Sequence, residues 1–226
     1  DMSLYKGKLY LYWGPIPALL ITPIQLITNA KITDIYLVYF FFCGLLIFNS
    51  LIILKLWRLF FAGIPAWNVI ISVFVIGFIL PVLWSINRPE VYQAAIGAGQ
   101  FNLMGGIYFA ILAFEDLPVI RKGNLFCAGF FWSCSVGSRA MNVLPILFMM
   151  PLIMFWVFKS MSRPINWTAY TKTLTPLFLP LIAGAIAIGW YNWARFDSPF
   201  EFGLRYQITI HNLDQLMSLT FQADYF

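Results

Sequence analysis

The chain has 226 residues, of which 61% are hydrophobic and only 10% charged, and it carries a net charge of +5. A soluble domain is about 45–50% apolar and about 25% charged, and one of this size has too little interior to hide so much apolar surface. The composition excludes intrinsic disorder and a secreted disulfide scaffold. It also removes the usual nucleic-acid reading of positive charge, because the Lys and Arg residues sit singly or in pairs at the ends of apolar segments. The expected fold is all-α: a polytopic transmembrane helical bundle, with residues 1–226 as one transmembrane domain of a longer chain.

Residues 1–14 mix cations with aromatics (Tyr5, Lys6, Lys8, Tyr10, Tyr12, Trp13), a combination suited to a membrane–water interface. Pro15–Leu26 is apolar but carries Pro15, Pro17 and Pro23, and predicts a short interfacial or re-entrant helix, with 1–34 as an external loop and this helix. Ile35–Leu54, Asn68–Trp84 and Ala94–Phe114 follow as spans. The third contains Gly97, Gly99, Gly105 and Gly106, which permit close helix–helix approach. Leu125–Phe158 holds 34 residues, about 51 Å as one helix and too long for a single crossing. A break at Gly137-Ser138-Arg139 divides it into two. Leu174–Trp193 is the last span, so 35–193 contains six, and 194–226 is an external loop or tail. Cys43, Cys127 and Cys134 form no CxxC pair and read as small core residues. The opening Asp1 and the closing Ala-Asp-Tyr-Phe read as the ends of a fragment.

Alternating the spans sorts the loops into two groups. One collects Lys55, Arg58, Arg121, Lys122, Lys159, Arg163 and Lys172 against Glu115 and Asp116. The other collects Lys6, Lys8, Lys31, Arg88, Arg139, Arg195 and Arg205 against Asp1, Asp34, Glu90, Asp197, Glu201, Asp214 and Asp224. The cation counts tie, so the positive-inside rule alone gives no orientation. The first group is assigned to the cytoplasm because its cations flank span ends with few acids nearby.

Four irregular segments fall on the other face: Ser3–Pro15, Asn87–Tyr92, Gly137–Arg139 and Trp193–Tyr206. Leu125–Val136 covers only about 18 Å as a helix, which sets Arg139 below the membrane surface. An arginine there either lines a wet, anion-binding cavity or snorkels to the headgroups. Arg88 and Glu90 flank Pro89 and pair with each other, with a polar ligand or with headgroups. Arg195, Glu201 and Arg205 lie in a stretch dense in aromatics: rings suit sugar faces, carboxylates accept sugar hydroxyls and guanidinium forks suit phosphates. An aromatic interfacial belt is the competing reading. His211 is the one histidine, so no histidine metal cluster exists. Walker A, GxSxG and HExxH motifs are absent, and the spans hold no acids, against a proton- or cation-coupled transporter.

The run Asp1-Met-Ser-Leu-Tyr-Lys-Gly-Lys-Leu-Tyr-Leu-Tyr-Trp-Gly-Pro-Ile-Pro-Ala-Leu-Leu resembles the end of the first external loop of GT-C type membrane glycosyltransferases. Arg88-Pro89-Glu90-Val91-Tyr92, Ser133–Met141 and Gly189–Gly203 resemble later external segments of the dolichyl-phosphate-mannose mannosyltransferase and ArnT-like group. The resemblance implies transfer of a sugar from a polyprenyl-phosphate donor on the extracytoplasmic face of the cell membrane. It implies donor-phosphate binding by Arg139 and Arg88, and sugar or lipid contacts from Tyr10, Tyr12, Glu90, Arg195, Glu201 and Arg205. The family's catalytic acids would lie upstream of Asp1, leaving the catalytic residue unknown. Trp13-Gly14-Pro15 stands where many relatives have a Lys-Pro pair, a gap that Lys6, Lys8 or Arg139 would fill. The implied partners are the bilayer and a polyprenyl-phosphate sugar, not nucleic acid. No cofactor is evident, and a divalent cation is left open. A lipid-linked sugar transporter or flippase, and a non-catalytic membrane assembly subunit, are the alternatives.

Overall fold

A computed structural model describes residues 2–11, 13–161 and 163–208. Asp1, Tyr12, His211, Asp214 and Asp224 lie outside the described residues, as does the tail beyond Ile208. Two compact units are described separately, Gly14–Ala185 and Asp1–Trp13 with Ile186–Phe226.

The larger unit contains α1 (Ile16–Thr28), α2 (Asp34–Phe60), α3 (Trp67–Phe78), α4 (Leu80–Asn87), α5 (Val91–Ala113), α6 (Lys122–Ser138), a 3-10 turn (Ala140–Asn142), α7 (Val143–Lys159) and most of α8 (Trp167–Phe196). Asn68–Trp84, expected as one span, is two helices meeting at 44°. Pro81 stands in the first turn of α4 behind an extended Ile79. A proline there lacks the N–H that would continue α3, and its ring would clash with the carbonyl four residues back. The break in Leu125–Phe158 falls at Arg139, whose backbone is extended between α6 and the 3-10 turn.

Glycines and small polar groups set the registers. Gly97 of α5 lies against Phe41 and Phe42, Gly44 of α2 against Phe101, and Gly105 against Phe48. The paired numbers rise together, so α2 and α5 run parallel, as two helices separated by one returning pass must. Between α5 and α6 the numbers run oppositely: Ser135 Oγ donates to Gly99 O (2.8 Å) and Trp132 Nε1 to Leu103 O (3.2 Å). Near the other end, Arg121 N donates to Ala113 O (3.0 Å). Gly129 faces Leu177 and Gly184 faces Ser133, so α6 and α8 are parallel. Trp132, Leu125, Ala128, Val157 and Leu177 are fully enclosed in the resulting core. A second cluster joins Phe41 and Phe42 of α2 to Ala94 and Ala98 of α5, with Ile21 of α1 and Ile86 of α4 against it.

The outward surfaces are apolar as well. On α7, Leu144, Leu147, Phe148, Leu152 and Phe155 are exposed while Ile146, Ile153 and Val157 are buried. A helix apolar on all sides needs an apolar solvent, and this protein is therefore membrane-embedded. Among the described residues, four helices are long and apolar enough to cross: α2, α5, Ala140–Lys159 and α8. The bent α3–α4 pair makes a fifth if it is one span. α6, expected as a span, is about 25 Å long, short of the ~30 Å hydrocarbon core. Its small residues Ala128, Gly129, Ser135 and Gly137 are buried against neighbouring helices. Cys43, expected in the core, is exposed; it sits on the side of α2 that borders a cavity.

In the terminal unit, β1 (Met2–Tyr5) and β2 (Lys8–Leu11) form an antiparallel hairpin that composition alone did not announce. Lys6 and Gly7 both have positive φ (47° and 76°), the signature of a two-residue type I′ turn. The hairpin binds the segment after α8: Ser3 Oγ donates to Gly203 O (2.6 Å) and Ile208 N to Met2 O (2.8 Å). Phe196, 2% exposed, is surrounded by the rings of Tyr5, Tyr10 and Tyr206. Gly203 has φ 83° and lies against the Phe196 ring, so a side chain there meets both a backbone and a steric barrier.

Candidate functional site

In the helical unit, the end of α6, the 3-10 turn and the first turns of α5 bring together the groups around Arg139. The half-buried Arg139 guanidinium carbon lies 5.4 Å from the centroid of the Tyr92 ring, within cation–π range. Behind it, Asn142 Nδ2 donates to Ser135 Oγ (2.9 Å), which itself donates to Gly99 O. Gly99 leaves room for this, since a Cβ there would come 2.7 Å from Asn142 Nδ2 and 3.4 Å from Arg139 Cγ. Buried polar groups linked in this way hold one geometry, because any unmade bond is costly in an apolar setting. Gly14, just before α1, lies against the carbonyls of Gly137 and Ser138, a fit that only a residue without Cβ permits. This gives a physical reason for glycine where a lysine was expected from the resemblance.

Arg88 follows α4 and Glu90 is the N-cap residue of α5; both are exposed. No ion pair joins them among the described residues, and Glu90 makes no capping hydrogen bond. The first turn of α5 carries no acid, and the Glu90 carboxylate is the acid nearest its N-terminal partial positive charge.

A cavity of about 330 Å³ lies between α2, α3, α4 and α5, lined mainly by apolar side chains and including Ser85, Ile86, Ile96, Gln100 and Met104. Its boundary reaches Ile86, two residues before Arg88, and Ile96, four residues or about 6 Å of helix after Tyr92. Gln93 is 3% exposed, and its Oε1 is buried without a hydrogen-bond partner among the described residues. The sequence reading passed over Gln93, Ser135 and Asn142. Their signal was a polar residue inside an otherwise apolar helix or at its broken end.

At the opposite end of the unit both acids are paired. Lys55 bonds Glu115, Arg121 bonds Asp116, and Arg121 also lies 3.9 Å from Glu115. Two of the seven cations that the alternation of spans put on one face, Lys55 and Arg121, thus meet the two acids assigned there.

The terminal unit holds Tyr10, Arg195, Glu201 and Arg205, and the first three have structural partners. Arg195 Nη1 donates to Leu11 O (2.7 Å) and Nη2 to Asn192 Oδ1 (3.2 Å). Its guanidinium carbon lies 3.9 Å from the Tyr191 ring centroid. Glu201 Oε1 accepts from Gly203 N (2.8 Å), and Tyr10 packs on Phe196. Arg205 is exposed. Lys6 bonds Asp197 (2.7 Å) and Tyr5 OH donates to the same carboxylate (3.0 Å). These two donors hold the Asp197 carboxyl below its usual range, and the carboxylate raises both Tyr5 and Lys6.

Fold and site define a helical membrane protein with a guanidinium at a helix break, resting on a ring of α5 about one turn from the residues that line an apolar cavity. No protein family, curated protein or solved structure matches the chain. Among the described residues, no cluster of three or more His, Cys, Asp or Glu could hold a metal ion.

Proposed function

We propose that this protein is a GT-C type glycosyltransferase that moves a sugar from a polyprenyl-phosphate donor to an acceptor on the extracytoplasmic face of the cell membrane. The observation that carries the reading is the adjacency of an apolar cavity to two arginines. α4 and α5 line the cavity, and Arg88 and the Tyr92–Arg139 pair lie within about a helical turn of its end. An amphiphile with a long apolar tail and an anionic head matches that arrangement. Arg139 and Arg88 would hold the phosphate by charge-assisted hydrogen bonds, and the α5 N-terminus would add to them.

Counting α3–α4 as one pass and α6 as another gives six passes in alternation, with the Lys55–Glu115 end cytoplasmic and the Arg139 end outside. The reaction is displacement at the anomeric carbon. The acceptor oxygen forms the new bond while the bond to the lipid-phosphate oxygen breaks. A general base takes the acceptor proton. The arginines stabilise the negative charge that grows on the departing phosphate.

Titration of the purified protein with undecaprenyl phosphate, followed by native mass spectrometry, tests the reading. Arg139→Ala removes hydrogen bonds to a charged group worth about 1.5–3 kcal/mol, and affinity should fall about 10- to 100-fold. Arg163→Ala, at the opposite end, should bind as wild type does. Unchanged binding by Arg139→Ala would remove Arg139 from the site.

A further inference from the structure

We infer that Gln93 reads the sugar of the lipid-linked donor, its Oε1 accepting a hydrogen bond from a sugar hydroxyl beside the phosphate; this rests on the function proposed above. Gln93, Ile96, Gln100 and Met104 fall at successive intervals of three or four residues on α5 and therefore form one row along the helix. The last three line the cavity. Gln93 continues the row toward Arg139, one residue after the Tyr92 ring on which that guanidinium rests.

Its environment makes the acceptor unusual. Gln93 is 97% buried, next to Ala94 and Ala95, each 1% exposed. The other buried side-chain amides and hydroxyls of this region bond within the protein: Asn102 to Ala98 O, Ser135 to Gly99 O, Asn142 to Ser135 Oγ and Ser85 to Pro81 O. Gln93 Oε1 has no such partner among the described residues. A buried acceptor without a donor costs free energy, and such a cost calls for a partner from outside the chain. The missing partner must be a donor. A lipid phosphate is mostly ionised at neutral pH and offers few donors, an acyl or prenyl tail offers none, and a sugar offers several hydroxyls. The position therefore separates a glycosylated lipid from the bare lipid phosphate left after transfer.

The test compares undecaprenyl phosphate, its glucosyl derivative and its mannosyl derivative as ligands of the purified protein. Wild type should bind at least one glycosylated lipid about tenfold more tightly than the bare phosphate. Gln93→Met is similar in length and lacks the acceptor. It should bind all three alike, and should melt about 2–4 °C higher without ligand because the unpaired atom is gone. If Gln93→Met keeps the preference, melts lower than wild type, or if wild type binds the bare phosphate as well as the glycosylated lipids, Gln93 has no such role while the phosphate site stands. If wild type binds none of the three, the proposed function itself fails.

Discussion

Gly106→Ala probes the packing on which the helical unit depends. A Cβ at Gly106 would overlap Cδ1 and Nε1 of Trp132 and come 2.9 Å from its Cε2. Trp132 is fully buried, and its indole N–H donates to Leu103 O, so the ring has nowhere to turn without breaking that bond. Within a membrane, lipid tails are as apolar as the core, and helix association rests on close packing and interhelical hydrogen bonds. Overpacking of a tight core costs about 1–3 kcal/mol, and the strained or lost indole bond adds about 0.5–1.5 kcal/mol. Gly106→Ala should therefore destabilise by about 2–4 kcal/mol, read as a lower unfolding midpoint in a denaturing-detergent titration. Trp132→Phe removes the five-membered ring that the new methyl meets. The double variant should then be more stable than the sum of the single changes predicts, with a coupling of about 1–2 kcal/mol. A near-neutral Gly106→Ala, or strict additivity in the cycle, would refute this account of the α5–α6 contact.

Gly203→Ala should cost the terminal unit at least about 1–2 kcal/mol through its positive φ alone, and hydrogen exchange at Ile208 should quicken roughly tenfold as the hairpin loosens. Asp197 has a lowered folded pKa, so its contribution is present above the ordinary carboxylate value near 3.9 and is lost as pH falls through the lowered one. Lys6 is raised, so its side of the pair holds below about 10.4 and is lost as pH rises through the raised value. Asp197→Asn should remove the acid-dependent loosening of the hairpin seen by hydrogen exchange and bring Tyr5 back toward 10. Single cysteines at the exposed Met141 and Val119, in a background without Cys43, Cys127 and Cys134, should react from opposite sides of the membrane. An impermeant thiol reagent outside intact cells should label Met141 alone, and labelling of both would undo the alternation of passes.

Much of the architecture was legible in the chain. Composition alone required an apolar solvent, and the length of Leu125–Phe158 required a break, placed at Gly137-Ser138-Arg139, where α6 ends. Alternation put Lys55 and Arg121 on a face with Glu115 and Asp116, and they bond there. The bend at Ile79 was less legible, because Pro81 near the end of an apolar segment is compatible with a kink, a stop or a continuing helix. The hairpin at Met2–Leu11 had a signal in Lys6-Gly7 between two runs holding Leu and Tyr, but aromatic composition drew attention to the interface instead.

Sequence by itself determined the solvent, the helical class and the helix ends that carry cations, since these follow from local composition, segment length and proline position. Tertiary structure decided what each polar group does. Arg195, promising as a sugar contact, clamps Leu11 O across 184 positions. Glu201 caps its own turn, and Gln93 is left with a buried acceptor. Such partnerships depend on helix register: along a helix of 3.6 residues per turn, neighbouring side chains point about 100° apart, so adjacent residues of similar chemistry face different neighbours. Only the assembled helices determine which of them is spent on the fold and which remains for a ligand.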